Sequence, residues 1–570
     1  MALDPQLTPP PTTALTIRLG ERRVQVPAGT RLRELLEAFD GHGLALEPVA
    51  AKVNNKIADL GAPLREDAAV EFITLASRDG MMLYQRSLCY LLVIAAREVY
   101  PDLQVYVNHT LGDGIFCQLL AAKYRMAHEE VEVGERDLEK IAAVMRRHIE
   151  ADLPFERTQV TVEEAQAIFE ANGQPDKVEL LRWRREPKIS LYRCGEHLNH
   201  FCGYLLPRTG LLGTFELRVC PPGFLLRYPN HSGPDRLQEF VWYPKLFGVY
   251  REFEAWGKIL GLETVAQLNA IIEAGGANEF IKVAEALQEK KIGHIADLIC
   301  EKPGQRRVVL ISGPSSSGKT TFSKRLGVQL RVNGVRPVVI SLDDFFVDRE
   351  RTPRDEHGDY DFEAFEAIDA PLFAQCVRRL LMGETVAMPR FDFKEGRSHP
   401  GPALGLDTDQ VLVVEGIHGL NPRLLPTVPE KMKFRVFVSA LTQLNIDYHN
   451  RIASSDTRMI RRMVRDSQYR GYSAKETISR WPSVRRGEGR NIFPFQEEAD
   501  YIFNTALSYE LCVLRQYAVP ILEEIGPDVP QHAEARRILY LLSYFRDIPV
   551  DEVPRHSLLR EFVGGSSFTY

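Results

Sequence analysis

The spacing of apolar positions changes near residue 304 and divides the chain into two regions. After this point, apolar and β-branched runs at 308–312, 337–342, 410–414 and 434–439 alternate with stretches of helical spacing. Near-continuous apolar strands that alternate with helices are typical of a buried parallel sheet. We therefore predict an α/β domain with a parallel sheet in the C-terminal region.

Short strands around one helix are predicted at the start of the chain. LTIRL from Leu15 and RVQV from Arg23 flank a turn at Gly20 and Glu21, and RLRELLEAF from Arg31 has helical spacing. VAAKVNN and AVEFIT supply later strands. The economical packing of this order is a small sheet wrapped on one helix, which is a β-grasp arrangement.

The remaining segments complete a multidomain prediction. Residues 83–221 mix one long amphipathic helix with Gly-rich strands, and residues 242–299 are mostly helical. The predicted division is a disordered tail over 1–13, a β-grasp domain over 14–77, an α+β domain over 78–221, a helical connector over 222–299 and an α/β domain over 300–570.

Length and composition narrow the class of protein. A chain of 570 residues is too long for a single core, and its net charge of −6 provides no general polyanion-binding surface. The longest uncharged apolar run, 88–96, is too short to span a bilayer, and the first residues lack a signal-peptide pattern. Eight cysteines without a CxxC pair favour reduced thiols. We expect a cytoplasmic protein with no membrane partner.

One motif predicts a phosphate-binding loop. The run GPSSSGKTT fits G-x-x-x-x-G-K-[ST], and it follows the apolar strand VVLIS and opens an amphipathic helix. Backbone N–H groups of such a loop point at phosphates, its lysine reaches the β and γ phosphates, and its first threonine binds Mg²⁺. We expect ATP and Mg²⁺ as cofactors. The predicted nucleotide-binding residues are Gly313, Pro314, Ser315, Ser316, Ser317, Gly318, Lys319, Thr320 and Thr321.

Two further strands end in carboxylates. SLDDFF places Asp343 and Asp344 after the second strand, and QVLVVEG ends the third strand in Glu415. Ligands of open α/β sheets lie at this edge. One of the two aspartates could accept a proton from an attacking hydroxyl, and the other could hold the metal through water. Glu415 with Thr320 is the predicted metal site.

A row of arginines follows in DTRMIRRMVRD. Arg458, Arg461, Arg462 and Arg465 fall at i, i+3, i+4 and i+7, so helical geometry predicts one shared face. Phosphoryl transfer requires positive charge over the triphosphate, and we predict a lid over the loop.

The order of these motifs resembles the uridine kinase and phosphoribulokinase family over about residues 306–507. The matching runs are GPSSSGKTT, LDDFF, DYDFEAFEAID, PRFDF, VVEGIHGL and the arginine row. The resemblance implies that Asp343 is the catalytic base, that Glu415 is a metal-associated carboxylate and that Asp361 binds ribose hydroxyls. It also assigns a phosphate-facing role to Arg462, and it places Phe391 and Asp392 at the acceptor. Arg465 of the same row is a further predicted catalytic residue.

This chain departs from the family where the pyrimidine is read. Phe391 and Gly396 stand at the positions of a tyrosine and a histidine, and Tyr472 and Arg480 replace an arginine and a glutamine of the lid. The resemblance therefore implies a nucleoside-like acceptor with altered base-reading residues. His399 or Arg397 could fill the gap at Gly396 after a loop shift.

The N-terminal half resembles a TGS domain followed by the second domain of threonyl-tRNA synthetases. RSLCYLLVIAAREVYPD and LYRCGEHLNHFCGYLLPRTG carry this resemblance. Arg86 and Tyr90 occupy the positions of an HxxxH pair, which favours a binding or regulatory platform over an editing site. Cys194, His197 and His200 lie close enough in sequence to suggest zinc, although their spacing matches no common zinc module.

Three functions remain open from the sequence. The first is an ATP-dependent kinase that phosphorylates a hydroxyl of a small, nucleoside-like molecule. The second is a regulatory ATP-binding switch whose N-terminal half senses RNA, and the third is a kinase acting on an RNA or a modified nucleoside. Asp343 and Asp361 would serve a kinase but have no obvious role in a pure switch. The sequence does not specify the oligomeric state.

Overall fold

A computed structural model of the chain describes residues 14–38, 46–122, 128–302, 304–356 and 358–569. The predicted tail over 1–13 lies outside the described residues. The chain forms two compact units. Unit 1 comprises residues 1–241, 447–450 and 525–543, and unit 2 comprises 242–446, 451–524 and 544–570. Two short segments from the C-terminal half therefore belong to unit 1, and the five-part division of the chain stays a prediction.

The first part of unit 1 is a five-stranded sheet on one helix, which confirms the β-grasp arrangement. The strand order is β2-β1-β5-β3-β4, and β1 is parallel to β5. Leu15 and Ile17 alternate inward along β1 and pack with Leu32 and Leu35 of the helix. The elements are β1 (Ala14–Leu19), β2 (Arg22–Pro27), α1 (Leu32–Ala38), β3 (Ala50–Val53), β4 (Lys56–Ala58) and β5 (Ala68–Ile73).

The α+β part of unit 1 is built around a long helix, α2 (Arg78–Val99). The Ser77 hydroxyl accepts the Gly80 N–H and caps this helix, and a Cβ on Gly80 would lie 2.1 Å from the Thr74 carbonyl oxygen. Two sheets follow, ordered β12-β13-β7-β6 with β8 beside β7, and β11-β10-β9. The remaining elements are β6 (Leu103–Leu111), β7 (Gly114–Ala122), β8 (His128–Val131), α3 (Glu135–Glu150), β9 (Glu156–Thr161), α4 (Val162–Ala171), α5 (Pro175–Leu181), β10 (Lys188–Cys194), β11 (His197–Asn199), β12 (Glu216–Cys220) and β13 (Gly223–Arg227).

Unit 2 begins with helices, as the sequence predicts for residues 242–299, and continues into a parallel sheet. The strand order is β15-β18-β14-β19-β20 with every pairing parallel, and β16 and β17 form a separate antiparallel hairpin. The elements are α6 (Pro244–Leu260), α7 (Val265–Glu273), α8 (Ala277–Cys300), β14 (Val308–Ser312), α9 (Lys319–Val332), β15 (Arg336–Ser341), α10 (Ala370–Leu381), β16 (Val386–Asp392), β17 (Arg397–Leu404), β18 (Gln410–Glu415), β19 (Lys433–Ser439), α11 (Ser454–Arg465), α12 (Ala474–Asn491), β20 (Tyr501–Asn504) and α13 (Glu510–Glu523).

Burial on both faces explains the continuous apolar runs of this sheet. All five residues of β14 are buried. Val308 and Leu310 pack into one core cluster, and Val309 and Ile311 pack into another with Phe322 of α9. A strand covered on both faces cannot alternate apolar and polar residues, and this is the signal that the sequence carries.

The end of the chain passes through both units. Helix α14 (His532–Leu542) belongs to unit 1, whereas α13 and α15 (Arg560–Val563) belong to unit 2. Among the described residues, every helix is too short or too polar to cross a membrane.

Candidate functional site

The loop between β14 and α9 has the backbone geometry of a phosphate cradle. Ser316 and Gly318 have φ angles of 58° and 86°, which turn successive N–H groups to the inside of the loop. A Cβ on Gly313 would lie 1.9 Å from the Val438 carbonyl oxygen, so only glycine fits at this position. The sequence therefore specifies this loop through its two glycines.

Unused polar groups in the loop fit a bound nucleotide. The Ser316 and Ser317 hydroxyl oxygens are buried without a hydrogen-bond partner among the described residues. Helix α9 starts at Lys319, directly after the loop, so its N-terminal N–H groups face the same position. Buried polar atoms of this kind are costly unless a ligand or water satisfies them. The loop thus suits the phosphates of ATP.

Lys319 is buried beneath this loop. Its Nζ donates to the carbonyl oxygens of Gly313 and Pro314 at 3.0 and 3.1 Å. Burial lowers the pKa of Lys319, and four carboxylates oppose this shift. These carboxylates belong to Glu415, Asp343, Glu561 and Glu363. The ammonium is thus surrounded by negative charge close to the phosphate cradle.

Asp343 and Glu415 come together at the carboxyl ends of adjacent strands. Glu415 pairs in register with Ser341 and Ile311, and the Ser341 hydroxyl donates to its Oε1 at 2.9 Å. Burial and the Asp343 carboxylate raise the pKa of Glu415 to about 7. Burial also raises the pKa of Asp343, whereas the charges of Lys319, Arg470 and Arg465 act to lower it. A raised pKa makes a carboxylate a better proton acceptor.

Asp344, the other candidate from the LDDFF run, has a different environment. Partial burial raises its pKa, and the backbone N–H of Phe391 donates to it. Lys319 lowers the pKa of Asp343, whereas the nearby charges that act on the pKa of Asp344 are those of Asp343 and Arg390. Of the two aspartates, Asp343 is the one whose charge is coupled to the lysine of the phosphate cradle.

Glu363 is a site residue that sequence reasoning missed. Burial and the Glu488 carboxylate raise its pKa to about 7, and Lys319 and Arg462 act in the opposite direction. Its Oε2 is buried without a hydrogen-bond partner among the described residues. A Cβ on Gly487 would lie 2.3 Å from the Glu363 Cβ, so this glycine makes room for the side chain. The acidic run DYDFEAFE, which contains Glu363, is the feature of the sequence that could have indicated this residue.

The four arginines of the row lie in two different environments. Arg458 and Arg461 are buried, with exposed fractions of 2% and 0%, and they lie against the loop. Arg458 Nη1 donates to the Ser315 carbonyl oxygen at 3.0 Å, and its Nη2 donates to Glu488 at 2.8 Å. Arg461 Nε donates to Glu510 at 2.7 Å. The predicted four-residue lid is therefore wrong for these two arginines, because helical spacing does not reveal which face the protein covers.

Glu488 ties the loop to helix α12. Besides its pairing with Arg458, it accepts the Ser315 backbone N–H at 3.1 Å. Both partners are fully buried, and removing one partner of such a pair leaves an uncompensated charge. We expect Glu488→Ala to lower the free energy of unfolding of unit 2 by about 3–5 kcal/mol.

Urea unfolding followed by tryptophan fluorescence measures this effect. The control is Arg485→Ala, which removes a partly exposed arginine 3.2 Å from the same carboxylate. We expect the double variant Arg458→Met/Glu488→Met to recover much of the loss. Equal stability of Glu488→Ala and Arg485→Ala would contradict the role of the buried pair.

The other two arginines of the row remain accessible on one side. Arg462 Nη1 donates to the Ser315 hydroxyl at 2.9 Å, and Arg465 donates to Asp466 at 2.7 and 2.9 Å. Asp466 also lies 3.3 Å from Arg462 and 3.8 Å from Arg470. One buried carboxylate thus gathers three guanidinium groups, and no pattern in the sequence indicated this role. Beyond them, Arg480 stacks on the exposed Tyr472 ring at 4.8 Å.

Helix α15 contributes another residue that sequence reasoning missed. Glu561 Oε2 accepts the backbone N–H and the hydroxyl of Thr321 at 3.0 and 2.6 Å. It therefore caps the start of α9 from a position 240 residues away. Thr320 precedes this contact, and its carbonyl oxygen accepts from Ser323.

The predicted acceptor side is strongly aromatic. Phe391 is buried, and its ring centroid lies 5.7 Å from Phe346 and 5.1 Å from Phe393. Phe362 and Phe393 expose 40% and 58% of their surface beside this cluster. We call these four phenylalanines the aromatic cluster. Exposed rings next to Asp344 and Phe391 form an apolar surface that could hold a planar or apolar group.

Arg349 covers the position at which Gly396 departs from the family. Gly396 has a φ of 72°, and a Cβ there would lie 2.7 Å from the Arg349 guanidinium carbon. Arg349 Nη2 donates to the Phe393 carbonyl oxygen at 2.6 Å. His399 instead pairs with Glu395 on the exposed hairpin, and Arg397 lies 4.0 Å from Glu350.

Asp361 and Asp392 both accept backbone N–H groups within their own loops. Asp361 Oδ1 accepts the Glu363 N–H at 3.1 Å and thereby helps to position that residue. Asp392 Oδ1 accepts the N–H groups of Lys394 and Glu395, and these bonds lower the pKa of Asp392. The turn of the β16–β17 hairpin thus depends on Asp392.

His418 supports the same region from beneath. Its Nε2 donates to the Ala364 carbonyl oxygen at 3.1 Å, and its ring packs on Phe365. Burial lowers the pKa of His418 to about 4, so the ring is neutral at pH 7. His418 therefore positions the segment that carries Glu363.

In unit 1, Arg86 and Tyr90 are engaged with backbone groups. The Tyr90 hydroxyl, which has one hydrogen to donate, lies 2.9 Å from the carbonyl oxygens of both Tyr192 and His197. Arg86 Nη1 donates to the Tyr204 carbonyl oxygen at 3.0 Å. These side chains hold strands and loops together.

The structure does not support a zinc site at Cys194, His197 and His200, which the sequence had left open. Within the described part of the chain, no group of three His, Cys, Asp or Glu side chains is arranged to hold a metal. His200 Nδ1 instead donates to the Ser190 carbonyl oxygen, and burial raises the pKa of the Cys194 thiol.

Any Mg²⁺ at the phosphate cradle would need oxygen ligands from the nucleotide and water in addition to Thr320 and Glu415.

Comparison with known proteins separates the two halves of the chain. Residues 308–510 match the phosphoribulokinase / uridine kinase family. Threonine–tRNA ligases from Syntrophotalea carbinolica and Acidithiobacillus ferrooxidans are 34% and 36% identical over 178 and 180 residues, which is 31% of this chain in each case. The matched part spans only 27% of the length of each ligase.

Among solved structures, one described as a possible uridine kinase from Bacillus stearothermophilus is 19% identical. It covers 37% of this chain and 98% of its own, with a TM-score of 0.25. The parallel sheet and the glycine-bounded loop described above lie within the residues matched by the family. Residues 308–510 therefore match the phosphoribulokinase / uridine kinase family, in a chain whose N-terminal half is similar to threonine–tRNA ligases.

Proposed function

We propose that this protein is an ATP-dependent kinase that transfers the γ-phosphate to a hydroxyl group of a small molecule. The observation that carries this proposal is the meeting of Lys319, Asp343 and Glu415 at one sheet edge, beside a loop shaped for phosphates. A site that only binds nucleotide has no need of a carboxylate with a raised pKa at the acceptor side.

Each of these side chains has a proposed role. Bound MgATP would supply the phosphoryl group and its counter-charge. Lys319 holds the β and γ phosphates, and Thr320 and Glu415 are the residues that would hold Mg²⁺. Asp343 accepts the proton of the attacking hydroxyl, and Arg462 and Arg465 stabilise the charge that develops on the transferred group.

We further propose that the acceptor is a vicinal diol, such as a ribose, attached to a planar or apolar group. Asp361 offers a carboxylate suited to paired hydroxyls, and the aromatic cluster offers exposed rings beside it. Phe391 cannot donate a phenolic hydrogen bond, and the Arg349 guanidinium lies where a side chain at position 396 would extend. These features disfavour recognition of a pyrimidine edge.

Steady-state kinetics on uridine, cytidine and a panel of other diols tests this specificity. We expect uridine to be a poor acceptor, because a site that has lost its polar base readers loses discrimination of up to ~10⁴-fold. Phe393→Ala should raise KM for the preferred acceptor, while Ile259→Ala, which removes a 72% exposed apolar side chain of helix α6, serves as the control. A uridine kcat/KM within ~10⁴–10⁸ M⁻¹s⁻¹ that exceeds every other acceptor would contradict the proposed specificity.

A further inference from the structure

Unit 1 contains its own cavity, apart from the phosphate cradle. Its volume is about 540 Å³, which is within the range of small-molecule sites. The walls come from the β-grasp sheet, helix α2, strands β9 and β10, the loop 201–204 and helix α14. All of these segments belong to unit 1, including α14, although α14 comes from the C-terminal end of the chain.

The cavity is strongly basic in an acidic protein. Six basic and two acidic side chains line it, so its formal charge is +4, whereas the whole chain carries −6. The two carboxylates are already neutralised by neighbours in the same wall, since Asp79 lies 2.6 Å from Lys52 and Glu534 accepts two hydrogen bonds from Arg537. The charged residues of the wall are Lys52, Lys56, Asp79, Arg86, Arg157, Glu534, Arg536 and Arg537.

Two guanidinium groups converge on one side of this cavity. Arg86 donates to the Tyr204 carbonyl oxygen, and Arg157 lies 4.7 Å from the centroid of the Tyr204 ring. Arg157 also donates to the Ser190 hydroxyl at 2.8 and 3.1 Å. A Cβ on Gly203 would lie 2.7 Å from the Arg86 guanidinium, so the loop can lie this close to Arg86 only with glycine at this position. Paired guanidinium groups match the geometry of a phosphate.

The rest of the wall supplies aromatic surface and one unmatched polar atom. Tyr192, Phe201, Tyr204 and Tyr540 line the cavity with rings. His532, which is 7% exposed, donates from Nδ1 to the Ile525 carbonyl oxygen. Its Nε2 is buried without a hydrogen-bond partner among the described residues. When Nδ1 carries the ring proton, Nε2 can accept a hydrogen bond.

We propose that this cavity binds a small phosphorylated ligand with a planar ring, of the size and chemistry of a ribonucleoside monophosphate. The phosphate lies at Arg86 and Arg157, and the ring lies against the tyrosine and phenylalanine side chains. His532 accepts a hydrogen bond from a hydroxyl or amino group of the ligand. This site is separate from the proposed kinase chemistry and does not depend on it.

Calorimetric titration of the full chain with each of the four ribonucleoside 5′-monophosphates tests the proposal. We expect at least one of them to bind, and we expect Arg157→Ala/Arg536→Ala to weaken this binding at least ~10-fold, because the contact of Arg157 with the phosphate and a second positive charge of the cavity wall are lost. Both residues are exposed, so their removal should leave the fold intact. Arg185→Ala removes the same charge from an exposed position outside the cavity and should have no effect.

Two further measurements distinguish this site from the phosphate cradle and from an RNA-binding surface. In Lys319→Ala, binding at the cavity should persist even where kinase activity is lost. The proposal is overturned if none of the four monophosphates binds at millimolar concentration, or if the double variant binds them as the unmodified chain does. Loss of single-stranded RNA binding in the double variant, without monophosphate binding to the unmodified chain, would assign the cavity to RNA instead.

Discussion

Lys319→Ala is expected to lower the rate of ATP-dependent phosphoryl transfer by at least ~10²-fold. The ammonium lies beneath the phosphate cradle among four carboxylates, and its charge has no substitute at that position. The fold should survive the change. The pKa values of Glu415 and Glu363 are already raised to about 7, so these groups can take up protons when the opposing charge is removed.

Lys324→Ala, on the same helix but outside the cradle, is the matched control. Thermal denaturation of both variants and of the unmodified chain shows whether the fold is kept, and ATP turnover shows the effect on chemistry. A folded Lys319→Ala protein with near-normal turnover would exclude the phosphate role of this lysine.

Asp343→Asn is expected to lower kcat by ~10²–10⁴-fold while ATP affinity changes little. The amide keeps the size of the side chain but cannot accept the proton of an attacking hydroxyl. The substitution also removes a negative charge beside Lys319, Arg465 and Arg470, so the binding of an anionic nucleotide should not weaken.

Asp344→Asn is the comparison for this prediction, because Asp344 is the neighbouring residue of the same loop and Lys319 is not among the charges that shift its pKa. Single-turnover rates and ATP binding are measured separately for both variants. If Asp343→Asn loses ATP affinity and keeps kcat, then Asp343 acts at the metal and Asp344 becomes the better candidate for the base.

The sequence predicted those parts of the candidate site that follow directly from buried strands. Gly313, Asp343 and Glu415 each lie at or just after the end of an apolar run, and parallel strands bring such positions to one edge. Lys319 begins the helix that follows the glycine-bounded loop. The β-grasp arrangement was predictable from the order of short apolar strands around one helix, although two of its four strand pairings, β1 with β5 and β3 with β5, join strands that are not consecutive in the chain.

The supporting carboxylates could not be predicted in this way. Glu488, Glu510 and Glu561 lie 173, 49 and 240 residues from the groups that they contact, and none of them ends a strand. Nothing local in the sequence distinguishes them from surface glutamates. Only the packing of α11, α12, α13 and α15 around the loop gives them partners.

Helical spacing alone also did not predict which of the four arginines are buried. It placed four side chains on one face, but it did not show that helices α12 and α13 bury Arg458 and Arg461. Similarly, no sequence pattern indicated that α14 would complete a cavity in unit 1.

The most direct test of kinase function follows the γ-phosphate itself. The full chain is incubated with γ-labelled ATP, Mg²⁺ and the panel of diols, and the labelled products are separated. We expect label in a phosphomonoester of at least one diol, formed by the unmodified chain and not by Lys319→Ala. Release of the label only as inorganic phosphate, at a rate that no acceptor changes, would contradict the kinase and favour a nucleotide-dependent switch.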